Sequence, residues 1–140
     1  MPHRMTPAER DEFLAEVHVA VLGVASRDGR GPLAVPVWYS YQPGGTLNLS
    51  TGRGTRKARA IMAAGRFSLC VQDERPPYKY VTAEGPAAIE DATEAERREL
   101  ARRYLGPEGG DAYMAATPHG DQVMIRMTPE HWLSIDYGRD

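Results

Sequence analysis

Ser50-Thr51-Gly52-Arg53-Gly54-Thr55-Arg56-Lys57 is the stretch that decides how the rest of the chain is organised. Before it, Leu47 and Leu49 alternate with Asn48 and Ser50, the two-residue period of a strand. Gly52 and Gly54 let the backbone turn closely. Thr55 then stands as an N-cap before Arg56 to Ala64, a helix closed by Gly65. Arg53, Arg56 and Lys57 place three cations within five residues at that helix start, where free N–H groups and the dipole favour an anion. With the hydroxyls of Ser50, Thr51 and Thr55 this reads as a phosphate seat. The spacing fits a capped helix with a solvated basic first turn equally well. The Gly-x-x-x-x-Gly-Lys-Ser/Thr order is absent, so nucleoside triphosphate chemistry is not implied.

Upstream, Thr6-Pro7 followed by Glu9, Asp11 and Glu12 predicts a capped helix. Val17 to Ser26 alternates as a strand, Asp28-Gly29 supplies a tight turn, and Pro32 to Tyr41 puts Leu33, Val35, Val37, Tyr39 and Tyr41 on one face of a second strand. With the strand Thr46 to Thr51 these form an antiparallel meander. Downstream, Phe67 to Asp73 and Tyr78 to Ile89 read as strands, the latter bent at Gly85-Pro86. Glu94 to Leu105 is a charged helix with Glu94/Arg98 and Glu99/Arg103 at favourable spacing, ended by Gly106-Pro107. Asp111 to Ala116 adds a helical turn or two, and strands follow around Val123 to Met127 and Trp132 to Tyr137. Six or seven strands with a short helix after the third predict a small antiparallel barrel, in one domain spanning residues 1–140.

Composition narrows the function. Seventeen Lys plus Arg balance 19 Asp plus Glu, a net charge of −2, without the basic excess of a general nucleic-acid binder. Only Lys57 and Lys79 among those 17 are lysines. No apolar run reaches membrane-spanning length and no secretory leader is legible, so a cytoplasmic protein is expected, with no nucleic-acid or membrane partner. Cys70 is the single cysteine and lies in an apolar run, where a small hydrophobe is expected. His3, His18, His119 and His131 have no partner at metal-ligand spacing, so no metal site is expected. Neither a Gly-x-Ser-x-Gly elbow nor a Ser/His/Asp set can be singled out, and no catalytic residue is assigned.

Two further segments stand out. Pro76-Pro77-Tyr78-Lys79-Tyr80-Val81 enters a strand with Lys79 between two tyrosines, either an edge strand with an outward lysine or the rim of a cleft. Val35-Pro36-Val37-Trp38-Tyr39-Ser40-Tyr41 offers aromatic area for a planar ring, and Pro36, which cannot donate to a ladder, marks an edge or bulge.

In this order, Asp28-Gly29, Pro36-Val37-Trp38, Leu49-Ser50-Thr51, Thr55-Arg56-Lys57-Ala58, Phe67-Ser68-Leu69 and Tyr80-Val81-Thr82-Ala83-Glu84-Gly85-Pro86-Ala87 resemble the pyridoxamine 5′-phosphate oxidase-like family of flavin- and deazaflavin-binding split barrels. The resemblance implies a mainly β fold, a six- to seven-stranded antiparallel Greek-key split barrel with short helices. It implies a homodimer with cofactor sites at the subunit interface. The cofactor phosphate falls to Arg56 and Lys57, with Arg53 adding charge and Ser50, Thr51 and Thr55 nearby. Val35, Pro36, Val37 and Trp38 line the ring system, and Lys79 and Tyr80 add contacts. The Arg-rich C-terminal segment that closes over pyridoxal phosphate in the oxidase proper has no counterpart in Glu130 to Asp140, so vitamin B6 oxidation is not expected. Pro-Val-Trp and Pro-Pro-Tyr-Lys-Tyr-Val resemble instead the branch using coenzyme F420, which implies hydride transfer to a small unsaturated or conjugated molecule. An FMN-dependent oxidase or reductase, or a non-catalytic flavin or haem carrier with His119 or His131 as axial ligand, are the alternatives.

Overall fold

In the computed structural model, residues 2–118 and 120–139 are described; His119 lies outside them. The chain forms α1 (Pro7–Ala15), β1 (Ala20–Val24), β2 (Leu33–Val37), β3 (Ser40–Tyr41), β4 (Leu47–Gly52), α2 (Arg56–Ala64), β5 (Arg66–Asp73), β6 (Lys79–Asp91), α3 (Glu94–Ala116), β7 (Gln122–Met127) and β8 (His131–Asp136). The strands pair in the order β2-β1-β5-β6-β7-β4-β3, with β8 also on β6, and every pairing is antiparallel.

The two ends of that order are halves of one segment. Trp38 and Tyr39 alone separate β2 from β3, and the three Cα steps from Val37 to Ser40 span at most about 11 Å. The sheet must therefore curl until its edges meet, which makes it a barrel split at Trp38-Tyr39. Counting β2 and β3 as one broken strand gives seven, a mainly β split barrel as expected. Strand β6 joins its two sides: Lys79–Glu84 runs beside β8, whereas Ala87–Asp91 runs beside β7. Gly85-Pro86 marks the change of neighbour without breaking the strand.

Alternation fills the interior. Leu22, Leu47, Leu49, Leu69, Val71, Val81, Val123 and Ile125 all point inward and are almost fully buried. Helix α2 supplies Ala58 and Ile61 to the same core, and α1 supplies Phe13 and Leu14. Both helices begin as the sequence demands. Thr6 and Glu9 form a reciprocal capping box, and Thr55 accepts from the Ala58 N–H while Gly65 takes the left-handed conformation at φ 75°.

Three expectations are corrected. The strand predicted from Val17 begins only at Ala20, because α3 takes the carbonyls that a longer ladder would use: the Tyr104 hydroxyl donates to His18 O at 2.6 Å and Arg103 to Glu16 O at 2.8 Å. Arg103 does not pair with Glu99. It reaches instead the carbonyls of Leu14, Ala15, Glu16 and Tyr39, capping the end of α1, whereas Arg98 does reach Glu94 at 3.0 Å. As expected, helical structure resumes after Gly106, whose φ of 78° and ψ of 172° kink α3. Cys70 points away from the core and is half-buried, while its neighbours Leu69 and Val71 point inward.

Candidate functional site

The turn between β4 and α2 is held from both sides. Thr55 Oγ1 donates to Gly52 O at 2.8 Å and accepts from the Ala58 N–H, so the Thr51 hydroxyl, 3.2 Å away, is the donor in their contact. These two hydroxyls are engaged within the turn. Arg53 reaches both carboxylate oxygens of Asp121 at 3.0 Å and also pairs with Asp91. Asp121 first, then Asp91, raises its already high pKa. Arg53 therefore fastens the loop to the start of β7 and the end of β6, with its charge matched.

Arg56 and Lys57 differ. Neither makes an ion pair or side-chain hydrogen bond with any described residue, and the first turn of α2 contains no acid. Arg56 is exposed and Lys57 half-buried. The acid that feels Arg56 is Asp28, whose pKa is lowered chiefly by the Ser26 hydroxyl and the Arg30 N–H, with Arg56 a smaller cause. Two cations thus sit at the positive end of a helix dipole, beside N–H groups that have no helical carbonyl to bond. An anion is the group this arrangement lacks.

Beside the turn lies a cavity of about 70 Å³ between α3 and the outer faces of β4 and the β2–β3 break. It brings together Trp38 and Ser50 with Arg97, Leu100, Ala101, Tyr113 and Gln122. The Ser50 Oγ is buried without a hydrogen-bond partner, and Gln122 is the register partner of Gly52, which links the cavity to the turn. Trp38 stacks on Tyr104, with Tyr113 tilted against it at 5.4 Å. Burial raises the pKa of the Tyr39 and Tyr104 hydroxyls, so both remain protonated at neutral pH.

The other residues singled out lie elsewhere. Val37 is in the core, Val35 packs partly against it, and Pro36 is exposed on edge strand β2. Lys79 lies over the Phe13 ring at 5.5 Å, in a pocket with Glu9, Glu12 and Asp136 at the α1 end. Tyr80 is on the outer face of β6, paired with Gln72 and Ile135. Within one chain neither reaches the cavity of Trp38 and Ser50. His131 is exposed on β8 opposite Glu84. Among the described residues no cluster of His, Cys, Asp or Glu is arranged to hold a metal, and no helix is long and apolar enough to cross a membrane.

Tyr104, Tyr113, Arg97 and Gln122 are not among the residues that the sequence singles out. Two tyrosines on an otherwise charged helix were the available signal for the first pair. Arg97 and Gln122 carried none.

A curled antiparallel sheet broken at Trp38-Tyr39, with three helices packed on it, defines a split barrel. The pyridoxamine 5′-phosphate oxidase family model matches residues 6–136, and the chain belongs to that family. Solved structures agree in fold. A conserved hypothetical protein of Mycobacterium tuberculosis superposes with a TM-score of 0.76 at 22% identity, over 95% of this chain and 86% of that one. An F420 reductase gives 0.72 at 24% identity, over 88% and 94%. An FAD-binding protein of Mesorhizobium loti gives 0.69 at 21% identity, over 96% and 94%. No curated protein matches.

Proposed function

We propose that the chain is a cytoplasmic homodimeric oxidoreductase that holds reduced coenzyme F420 by its phosphate at the start of α2 and serves hydride transfer to a small unsaturated or conjugated substrate. The observation that carries this reading is the pair Arg56 and Lys57, cationic, without ion-pair partners among the described residues and at the wrong end of a helix dipole. Each such charge costs about 0.3–1 kcal/mol, a cost that a bound phosphate reverses. The likeness to an F420 reductase supports the choice of cofactor.

F420, when bound, supplies the hydride; the protein binds and orients. Arg56 and Lys57 hold the phosphate, the Gly52–Thr55 turn presents the backbone, and Arg53 keeps that turn in place through Asp121 and Asp91. Trp38 and Ser50 offer an aromatic wall and a free hydroxyl to whatever enters the adjoining cavity. Val35 and Pro36 follow the same edge, and Lys79 and Tyr80 contribute through the second subunit.

The dimer reading rests on one face of the sheet. Pro36, Val21, Cys70, Thr82 and Leu133 stand in register across β2, β1, β5, β6 and β8, all on the side away from the core. Val21 is 42% and Leu133 53% exposed. A row of this kind, apolar but for Thr82, supports association through that face.

A second reading, FMN on the same seat, has the FAD-binding neighbour in its favour, since a phosphate seat serves a flavin nucleotide as well. Anaerobic titration of the purified protein with each cofactor separates the two. Micromolar binding of F420 with weak FMN binding supports the proposal, and FMN binding without F420 binding reverses it.

A further inference from the structure

Away from the start of α2, Arg10 of α1 is half-buried with its guanidinium 4.3 Å from the centroid of the Trp132 ring. Its Nε is buried without a hydrogen-bond partner, and it forms no ion pair with any described residue. Other half-buried arginines are served: Arg126 by Glu96, Arg98 by Asp111 and Arg103 by main-chain carbonyls. A permanently charged planar fork held over an indole, with no carboxylate on it among the described residues, is prepared for one. Beside it opens a cavity of about 360 Å³, walled by α1, the turn at Gly44–Thr46 and the turn at Thr128-Pro129.

We propose that this cavity is a second ligand site and that it takes a small ring carboxylate. A closed cavity of about 150 Å³ accommodates benzene, so there is room for a six-membered ring with its carboxylate against Arg10. Pro7, Pro129 and Trp132 supply apolar walls. Asp11 lines the same cavity, one oxygen accepting from the Tyr41 hydroxyl at 2.8 Å. A fixed negative charge beside the fixed positive one disfavours multiply charged anions and selects a monoanion with an apolar body. This site is distinct from the α2 seat: Thr46 precedes and Gly52 ends β4, six residues at about 3.3 Å each, so roughly 20 Å separate them.

The test is titration of the isotope-labelled full chain, without cofactor, with sodium benzoate, benzamide and sodium phosphate, following the Arg10 Nε–H and Trp132 indole N–H signals by NMR. Benzoate is expected to shift both signals saturably with millimolar or tighter affinity, while benzamide and phosphate leave them in place. Arg10→Gln, on a partly exposed helix face, should keep the melting temperature and weaken benzoate about tenfold. Absence of a saturable benzoate shift, equal shifts with benzamide or phosphate, or undiminished affinity in Arg10→Gln overturns the proposal.

Discussion

The ring of Trp38 lies flat on that of Tyr104, with centroids 4.9 Å apart and planes 7° from parallel. The same Tyr104 hydroxyl accepts from the Tyr39 N–H at 3.0 Å and donates to His18 O at 2.6 Å. One helix side chain thus fixes the two-residue break where the barrel splits and the aromatic wall of the candidate cavity. Tyr104→Phe keeps the stack but leaves a buried N–H and a carbonyl unpaired. It should lower unfolding free energy by about 1–3 kcal/mol in urea denaturation, with the tryptophan emission spectrum of the folded protein unchanged.

Gly85 is where β6 leaves β8 for β7, and a Cβ there would stand 1.8 Å from Thr128 O. Main chain cannot yield as a flexible side chain can. Gly85→Ala should cost at least about 2 kcal/mol in the same assay, much more than Gly54→Ala, where nothing lies within 4 Å.

Glu9 ties the N-terminal segment down. The Thr6 N–H, then the His3 side chain, lowers its pKa from the usual 4.5 to about 2. A depressed carboxylate stabilises the fold above its unfolded pKa, and that contribution is lost as pH falls from about 4.5 towards 2. A carboxyl-carbon NMR titration should find the Glu9 midpoint near 2, with His3 and α1 signals changing over the same window. A midpoint near 4.5 would show that the capping box does not hold in solution.

The apolar row on the outer sheet face predicts association through that face. The protein should sediment as a dimer, and Val21→Lys with Leu133→Glu should shift it to the monomer without loss of β-sheet circular dichroism. An unaltered sedimentation coefficient in the double variant would place the interface elsewhere.

Local rules made much of this molecule legible. Thr6-Pro7 and Thr55 announced the starts of α1 and α2, Gly65 the end of α2, and the two-residue period located nearly every strand, because caps and alternation act over a few residues. The break at Trp38-Tyr39 was not legible. Val37, Tyr39 and Tyr41 keep the inward alternation across it, so the pattern hides a change of partner from β1 to β4. Long-range pairing was hidden as well. Nothing near Arg53 in sequence indicates that Asp91 and Asp121 claim it, and nothing near Arg103 indicates that it caps α1. The Arg56-Lys57 pair stood out because its signal is local, two cations where a helix start disfavours them. The cavity beside it depends on α3 folding over β4, which no local pattern records.

The phosphate seat is the central claim, and affinity for F420 in Lys57→Ala against wild type tests it most directly. Loss of one charge-assisted contact should weaken binding about tenfold or more while leaving the melting temperature of the cofactor-free protein unchanged or slightly raised, since a cation leaves the positive end of α2. Equal F420 affinity in the two proteins would contradict the assignment.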